Sequence, residues 1–174
     1  METKLVFEEK VTKNKVEFVI GVIDSSKKLK CNPNDLMFAL NIESAGTFDP
    51  TIENKYSHAI GIAQFTPYIA RCLGTSTDEL RKITNVQQLD YVVKLLAPYA
   101  GRMNSYVDVY LAIFYPTAIG KPDTYELGLT PEMRAKIALQ NPAYDQNKDH
   151  VVTKGEVKAA IAKFIPKEHK NLFK

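Results

Sequence analysis

From Pro33 to Glu43 the chain reads Pro-Asn-Asp-Leu-Met-Phe-Ala-Leu-Asn-Ile-Glu. Pro33-Asn34-Asp35 is a helix start, because proline in the first turn gives up an N–H that has no partner there anyway. Leu36, Met37, Phe38, Leu40 and Ile42 then leave almost no polar stripe, and a helix that is apolar nearly all round belongs inside a core. Ser44-Ala45-Gly46 ends it, with Gly46 able to take the left-handed cap. Whatever else this chain forms, it forms around that helix.

The flanking sequence supplies further helices. Val16, Val19, Ile20 and Ile23 have helical spacing over Val16 to Asp24, with Gly21 as a flaw. Thr47 to Ile60 lapses into a loop or small hairpin. Ile62 to Leu73 reads as a helix interrupted or begun at Pro67, Asp78 to Lys82 as one turn, and Val86 to Arg102 as a longer helix strained near Pro98. Tyr106 to Phe114 is strongly apolar and stops at Pro116. Beyond Gly120-Lys121-Pro122-Asp123 the composition shifts. Thr130-Pro131 starts a helix to about Gln140, and another runs from Glu156 to Phe164. The fold class is therefore mainly α, with domain bounds of 1–123 and 124–174.

With 174 residues, 45% hydrophobic and 25% charged, the chain has a globular composition and needs no staples. Cys31 and Cys72 are too few for a disulfide framework and are expected reduced, packed as small hydrophobes. The net charge of +3, carried by solvated lysines, gives a mild pull toward anionic polymers such as a cell wall. No motif supports nucleic-acid binding. No segment reads as a signal peptide or a membrane span, so no membrane insertion is expected.

One carboxylate stands out at the end of the buried helix. Glu43, walled by Leu40, Ile42, Phe38 and Phe48, should find its ionised form disfavoured and its pKa raised. That is what a general acid needs, a proton held near neutral pH for delivery to a leaving oxygen.

The words around Glu43 carry a resemblance. Asn32 to Pro50, a Pro-started helix ending in Glu43-Ser44 and followed by Phe48 and Pro50, is similar to the first motif of the lytic transglycosylase and goose-type lysozyme superfamily. Ser57 to Pro67, with Gly61-Ile62-Ala63-Gln64, resembles the second, and Val109 to Pro116 the third. The likeness covers residues 29–123. It implies a lysozyme-like α+β domain with a small loop or hairpin lobe. It makes Glu43 the acid that protonates the glycosidic oxygen, Ser44 the residue that orients its carboxyl group, and Gln64 a hydrogen-bonding partner of the substrate. Tyr115, or Phe114 if the register is one residue off, would line the cleft floor. Two departures stand: Pro116 follows Tyr115 where the family continues into Asn, and Ala63 replaces a common Met.

What attacks the sugar stays open at this level. Lytic transglycosylases use the substrate's own primary hydroxyl; related hydrolases activate water with a second carboxylate, about 5 to 9.5 Å from the first. Asp49 and Glu53 are the acids between the first two motifs, Asp49 reading as a turn residue and Glu53 as an exposed one.

Asp145 to Glu156 fits a twelve-residue EF-hand calcium loop. Asp145, Asn147, Asp149 and Thr153 put side-chain oxygens at positions one, three, five and nine, Val151 gives a carbonyl at seven, and Glu156 closes at twelve. His150 sits at position six, where glycine normally takes the sharp turn, which weakens binding without forbidding it. Calcium is then a structural clip in a C-terminal helix-loop-helix, and no organic cofactor is expected. The combined expectation is a monomeric enzyme cutting bacterial peptidoglycan between muramic acid and glucosamine units. As a bacteriophage endolysin or virion-associated hydrolase, it would await delivery in host cytoplasm or virion. The rival is a non-catalytic wall-binding or virion protein of the same fold.

Overall fold

The computed structural model describes residues 4–173. It is mainly helical. Eight α-helices occur among the described residues: α1 (Lys15–Leu29), α2 (Pro33–Glu43), α3 (Pro67–Cys72), α4 (Thr77–Lys82), α5 (Asn85–Leu96), α6 (Tyr106–Phe114), α7 (Pro131–Gln140) and α8 (Lys154–Ala162). None of them is long and apolar enough to cross a membrane. The expected all-round burial of α2 holds, with every residue from Asp35 to Asn41 buried. Its principal partners are α6 and α1, and α1 packs in turn on α5. Phe38 lies with Phe7, Tyr106 and Phe173 in an aromatic cluster that joins both ends of the described chain to α2. Truncating such a side chain costs about 3–5 kcal/mol.

Local chemistry sets where the helices begin and end. Asn32 Oδ1 accepts from Asn34 N at 2.8 Å, Thr66 caps α3, and Thr84 with Gln87 closes a capping box on α5. The flaw at Gly21 is a contact: a Cβ there would come within 2.6 Å of Leu89 Cδ1, so its absence lets α1 and α5 approach. The helix expected over 86–102 stops at Leu96 and passes into a 3-10 turn at Ala97–Tyr99, since Pro98 has no N–H to continue the ladder. The helix expected from Ile62 starts only at Pro67, because Ile60 and Phe65 exchange backbone hydrogen bonds of 2.9 and 3.0 Å across the intervening turn. Cys72, expected to be packed, is exposed, while Cys31 is half-buried.

A small lobe between α2 and α3 is made of single bridges, Glu53 to Ile60 and Ile60 to Phe65. It is held by one buried amide on α5. Gln88 Nε2 donates to Pro50 O and Leu80 O, each at 2.9 Å, and its Oε1 accepts from Ile62 N at 3.0 Å. Gly61, at φ +81°, is the point of closest approach: a Cβ would sit 2.3 Å from Gln88 Oε1. Only glycine meets both demands without strain.

Residues after 123 share this core: Leu127, Ala138, Val152, Val157, Ile161 and Phe173 are continuous with it. Lys154, in the first turn of α8, reaches Asp108 on α6 at 2.9 Å, with both side chains 8% exposed. Asp108 also accepts from Gly120 N at 3.2 Å.

Candidate active site

The C-terminal end of α2 opens into a cleft of about 920 Å³. Glu43 is among its lining residues. The carboxyl group is half-buried, and burial, with no offsetting ion pair or hydrogen bond among the described residues, pushes its pKa to about 8. The dry surroundings do not come from Phe38 and Phe48, as their nearness in sequence suggests. Phe38 stands five residues before Glu43, about 140° away around the helix, and faces Tyr106 and Phe173. Phe48, past the chain reversal, packs on Phe18. Ile42 lines the cleft as expected, and one face of α6 replaces the two phenylalanines: Tyr110, Ile113 and Phe114, spaced to project together, line it too. Tyr110 and Phe114 are stacked at 5.7 Å.

Tyr110 is the chemically notable member of that face. Burial first, and then the nearby Glu43 carboxylate, hold its pKa well above the ordinary tyrosine value. The hydroxyl therefore stays protonated, hydrogen-bonded to the hydroxyl of Tyr144. The sequence placed Tyr110 inside the third motif without a role. Its signal was the four-residue step to Phe114.

The other residues expected at the site divide. Gln64, at φ +48°, lines the cleft with Glu43. Its Nε2 donates to Ile52 O and Gly61 O at 3.3 and 3.2 Å, fixing the amide to the lobe. Ser44 is fully buried, and its hydroxyl donates to Leu40 O at 2.7 Å and accepts from Phe48 N at 3.0 Å. It fastens the turn after Glu43 instead of touching the carboxyl group. Of the alternatives Tyr115 and Phe114, the cleft takes Phe114. Tyr115 accepts from Gly128 N at 3.0 Å and tethers the segment before α7.

Neither possible second carboxylate lines the cleft. Asp49 accepts from Thr51 N and Oγ1 at 2.8 and 2.7 Å, bonds that with Lys13 lower its pKa. Glu53 pairs with Arg81 at 3.0 Å and His58 at 3.3 Å. Glu43 is the one acid among the lining residues, and no Lys, Arg or His joins it. Asn54, Tyr56, Ser57 and Thr66 of the lobe side, and Gln140 and Asn141 at the end of α7, supply the remaining polar groups. The sequence pointed to none of these.

The loop from Asp145 to Glu156 is wound through its own oxygens. Asp145 Oδ2 accepts from His150 N at 3.2 Å, Asn147 Oδ1 from Asp149 N at 3.0 Å, and Asp149 Oδ1 from Val151 N at 2.9 Å. His150 takes the left-handed conformation, φ +68°, required at position six. Thr153 and Glu156 form the capping box that starts α8. Two oxygens are left over: Asp145 Oδ1 and Glu156 Oε1 are buried without a hydrogen-bond partner among the described residues. Among the described residues, no three His, Cys, Asp or Glu side chains already gather around a common point.

Compared with family models, characterised proteins and solved structures, the chain matches none.

Proposed function

We propose that this protein cleaves peptidoglycan glycan strands between muramic acid and glucosamine units, as a lysozyme-like enzyme of the lytic transglycosylase type. The observation that carries the reading is Glu43: a lone acid, protonated near neutral pH, in a cleft otherwise lined by amides, hydroxyls, aromatic rings and a few aliphatic side chains. Such a lining suits an uncharged polar polymer, with ring faces for apolar contact and amides for hydroxyl and acetamido groups. Glu43 gives its proton to the glycosidic oxygen as the C–O bond breaks. The substrate's own primary hydroxyl then closes on the positive carbon and returns its proton to the Glu43 carboxylate. No second acid is needed for this balance, and none lines the cleft. Gln64 lines the same space, and with its Nε2 held by the lobe its Oε1 is the atom that would accept from a sugar hydroxyl.

Digestion of purified sacculi, followed by mass spectrometry of the fragments, tests it. Anhydromuramic ends are the expected product. Reducing muramic acid alone would make the protein a hydrolase, and intact sacculi bound by the protein would make it a wall-binding module.

The loop at Asp145 to Glu156 supports calcium as a structural ion. A hard cation would be held by Asp145, Asn147, Asp149, Thr153 and Glu156 with the Val151 carbonyl. The two unpartnered buried oxygens, at loop positions one and twelve, are a cost that such an ion removes. Calcium should raise the melting temperature, adding about 1.4 kcal/mol per tenfold increase near saturation. His150→Gly should bind more tightly, since the left-handed turn no longer carries a side chain. A melting temperature indifferent to calcium would leave the loop an ordinary polar turn.

A further inference from the structure

The cleft has a wall that the family resemblance does not reach. Its lobe side comes from Asn54, Tyr56 and Ser57, with Tyr56 98% exposed at the rim. Its floor comes from α2 and α6. The remaining wall is the C-terminal end of α7, where Gln140 and Asn141 face the space that Glu43 faces. That position is fixed. Tyr144, three residues on, bonds Tyr110 through its hydroxyl and lies edge-on to Phe114 at 5.3 Å. Tyr144 N donates to Asn141 O at 2.9 Å. Asn141 spends its Nδ2 on Ile137 O at 2.9 Å, closing the helix. Its Oδ1 and the whole Gln140 amide make no hydrogen bond among the described residues.

We infer that Gln140 and Asn141 form a sugar-binding subsite of the Glu43 cleft that takes an N-acetylated unit, making the C-terminal unit part of the substrate-binding machinery. This rests on the glycan-cleaving reading of Glu43. The chemistry selects the acetamido group. A Gln side chain beside a free Asn oxygen offers a donor and acceptors at one spot, the complement of an amide's own N–H and C=O. No charged residue other than Glu43 lines the cleft, so an ionic group on the ligand has nothing to meet there. Phe114, half-buried and in the same lining, gives a sugar ring an apolar surface.

The test uses the full chain carrying Glu43→Gln, so that ligand survives, and a hexamer of N-acetylglucosamine as the probe in calorimetry. Adding Gln140→Ala and Asn141→Ala should weaken binding about tenfold or more, the loss of roughly two hydrogen bonds. Circular dichroism should stay put, and the melting temperature should fall by no more than the lost Asn141 bond to Ile137 O explains, whereas Gln140→Ala alone should leave it unchanged. In the active protein the same pair should raise KM by a similar factor and leave kcat within a few fold. On a glucosamine hexamer lacking acetyl groups, the pair should matter far less. Unchanged affinity for the acetylated hexamer overturns the subsite while leaving Glu43 chemistry standing. Equal losses on both hexamers overturn the acetamido assignment. If Glu43→Gln alone binds neither hexamer and the active protein leaves sacculi intact, the glycan reading of the cleft falls and takes the subsite with it.

Discussion

The end of α2 and the seam between α6 and α8 each take a carboxylate out of water, with opposite results. At the seam, Asp108 meets Lys154 at 2.9 Å and a backbone N–H as well. Its charge is compensated where it sits, and it fastens one part of the fold to another. At the end of α2, Glu43 meets Ile42 and the α6 face and gains no partner, so its proton stays on to about pH 8. Burial alone therefore does not say what an acid is for. What matters is whether the fold also supplies the counter-charge. An acid buried beside a cation is a fastening; an acid buried without one is a proton store facing whatever enters the cleft.

Replacing Glu43 with Gln separates the two most sharply. Cleavage of sacculi should fall by about two to four orders of magnitude, the contribution of a positioned general acid. Stability should move the other way. Because the folded pKa of about 8 lies above the ordinary 4.5, the native state resists an ionisation that the unfolded chain accepts. Below about pH 4.5 the two proteins should melt alike. As pH rises toward 8 the Gln variant should become the more stable one, by on the order of 2 kcal/mol allowing for the solvent edge of the carboxyl group. Thermal melts across pH 4 to 9 check this; a Gln variant that cleaves normally removes Glu43 from the chemistry.

At the seam the loss should be structural. Lys154→Met strands a buried Asp108 and should cost about 3–5 kcal/mol in urea unfolding. Adding Asp108→Asn should recover much of it, because the stranded charge disappears. A cost near zero for Lys154→Met would show that Asp108 finds water, and the contrast with Glu43 would weaken.

The contrast also sets a pH profile. With Glu43 as the proton donor, kcat/KM should hold to about pH 8 and then decline about tenfold per pH unit. A decline beginning near pH 5 would mean that Glu43 is solvated as an ordinary carboxylate. The smallest effect belongs to Tyr115→Phe. It should cost about 1 kcal/mol through the lost bond to Gly128 N, with cleavage unaltered, whereas Phe114→Ala should raise KM. A tenfold loss of activity in Tyr115→Phe would return Tyr115 to the cleft.

How much of this was legible in the sequence follows from the range of the interactions. The burial of α2 and the start of α7 at Thr130 and Pro131 are local patterns, and each could be read directly. The turn at Gly61 to Gln64 instead reads as helix, because its bonds to Ile52, Phe65 and Gln88 come from outside the segment. The early stop of α5 was half visible in Pro98. The surroundings of Glu43 were misassigned because sequence neighbours stood in for spatial ones. Phe38 and Phe48 are near in number, while Tyr110 and Phe114 arrive only when α6 packs on α2. Gln140 and Asn141 left no trace, since nothing in a helix end facing a calcium-type loop says which distant cleft it will border. Gln88 was equally silent: a polar residue on an amphipathic helix reads as exposed until its three backbone partners are in place.

That amide has a kinetic consequence. Gln88 ties the lobe to α5 and to Leu80 beside it, while Tyr144 ties the opposite wall to α6. Both sides of the cleft are tied in this way, so on the glycan-cleaving reading a strand should meet a channel whose width is set beforehand. Entry then needs no closing step, and little ordering of the protein is charged against affinity. The encounter rate should be governed by diffusion and orientation, so strands of different fit should differ chiefly in how long they stay. On the proposed wall substrate, such a groove should let go of poorly seated strands quickly and hold the well seated one long enough for Glu43 to act.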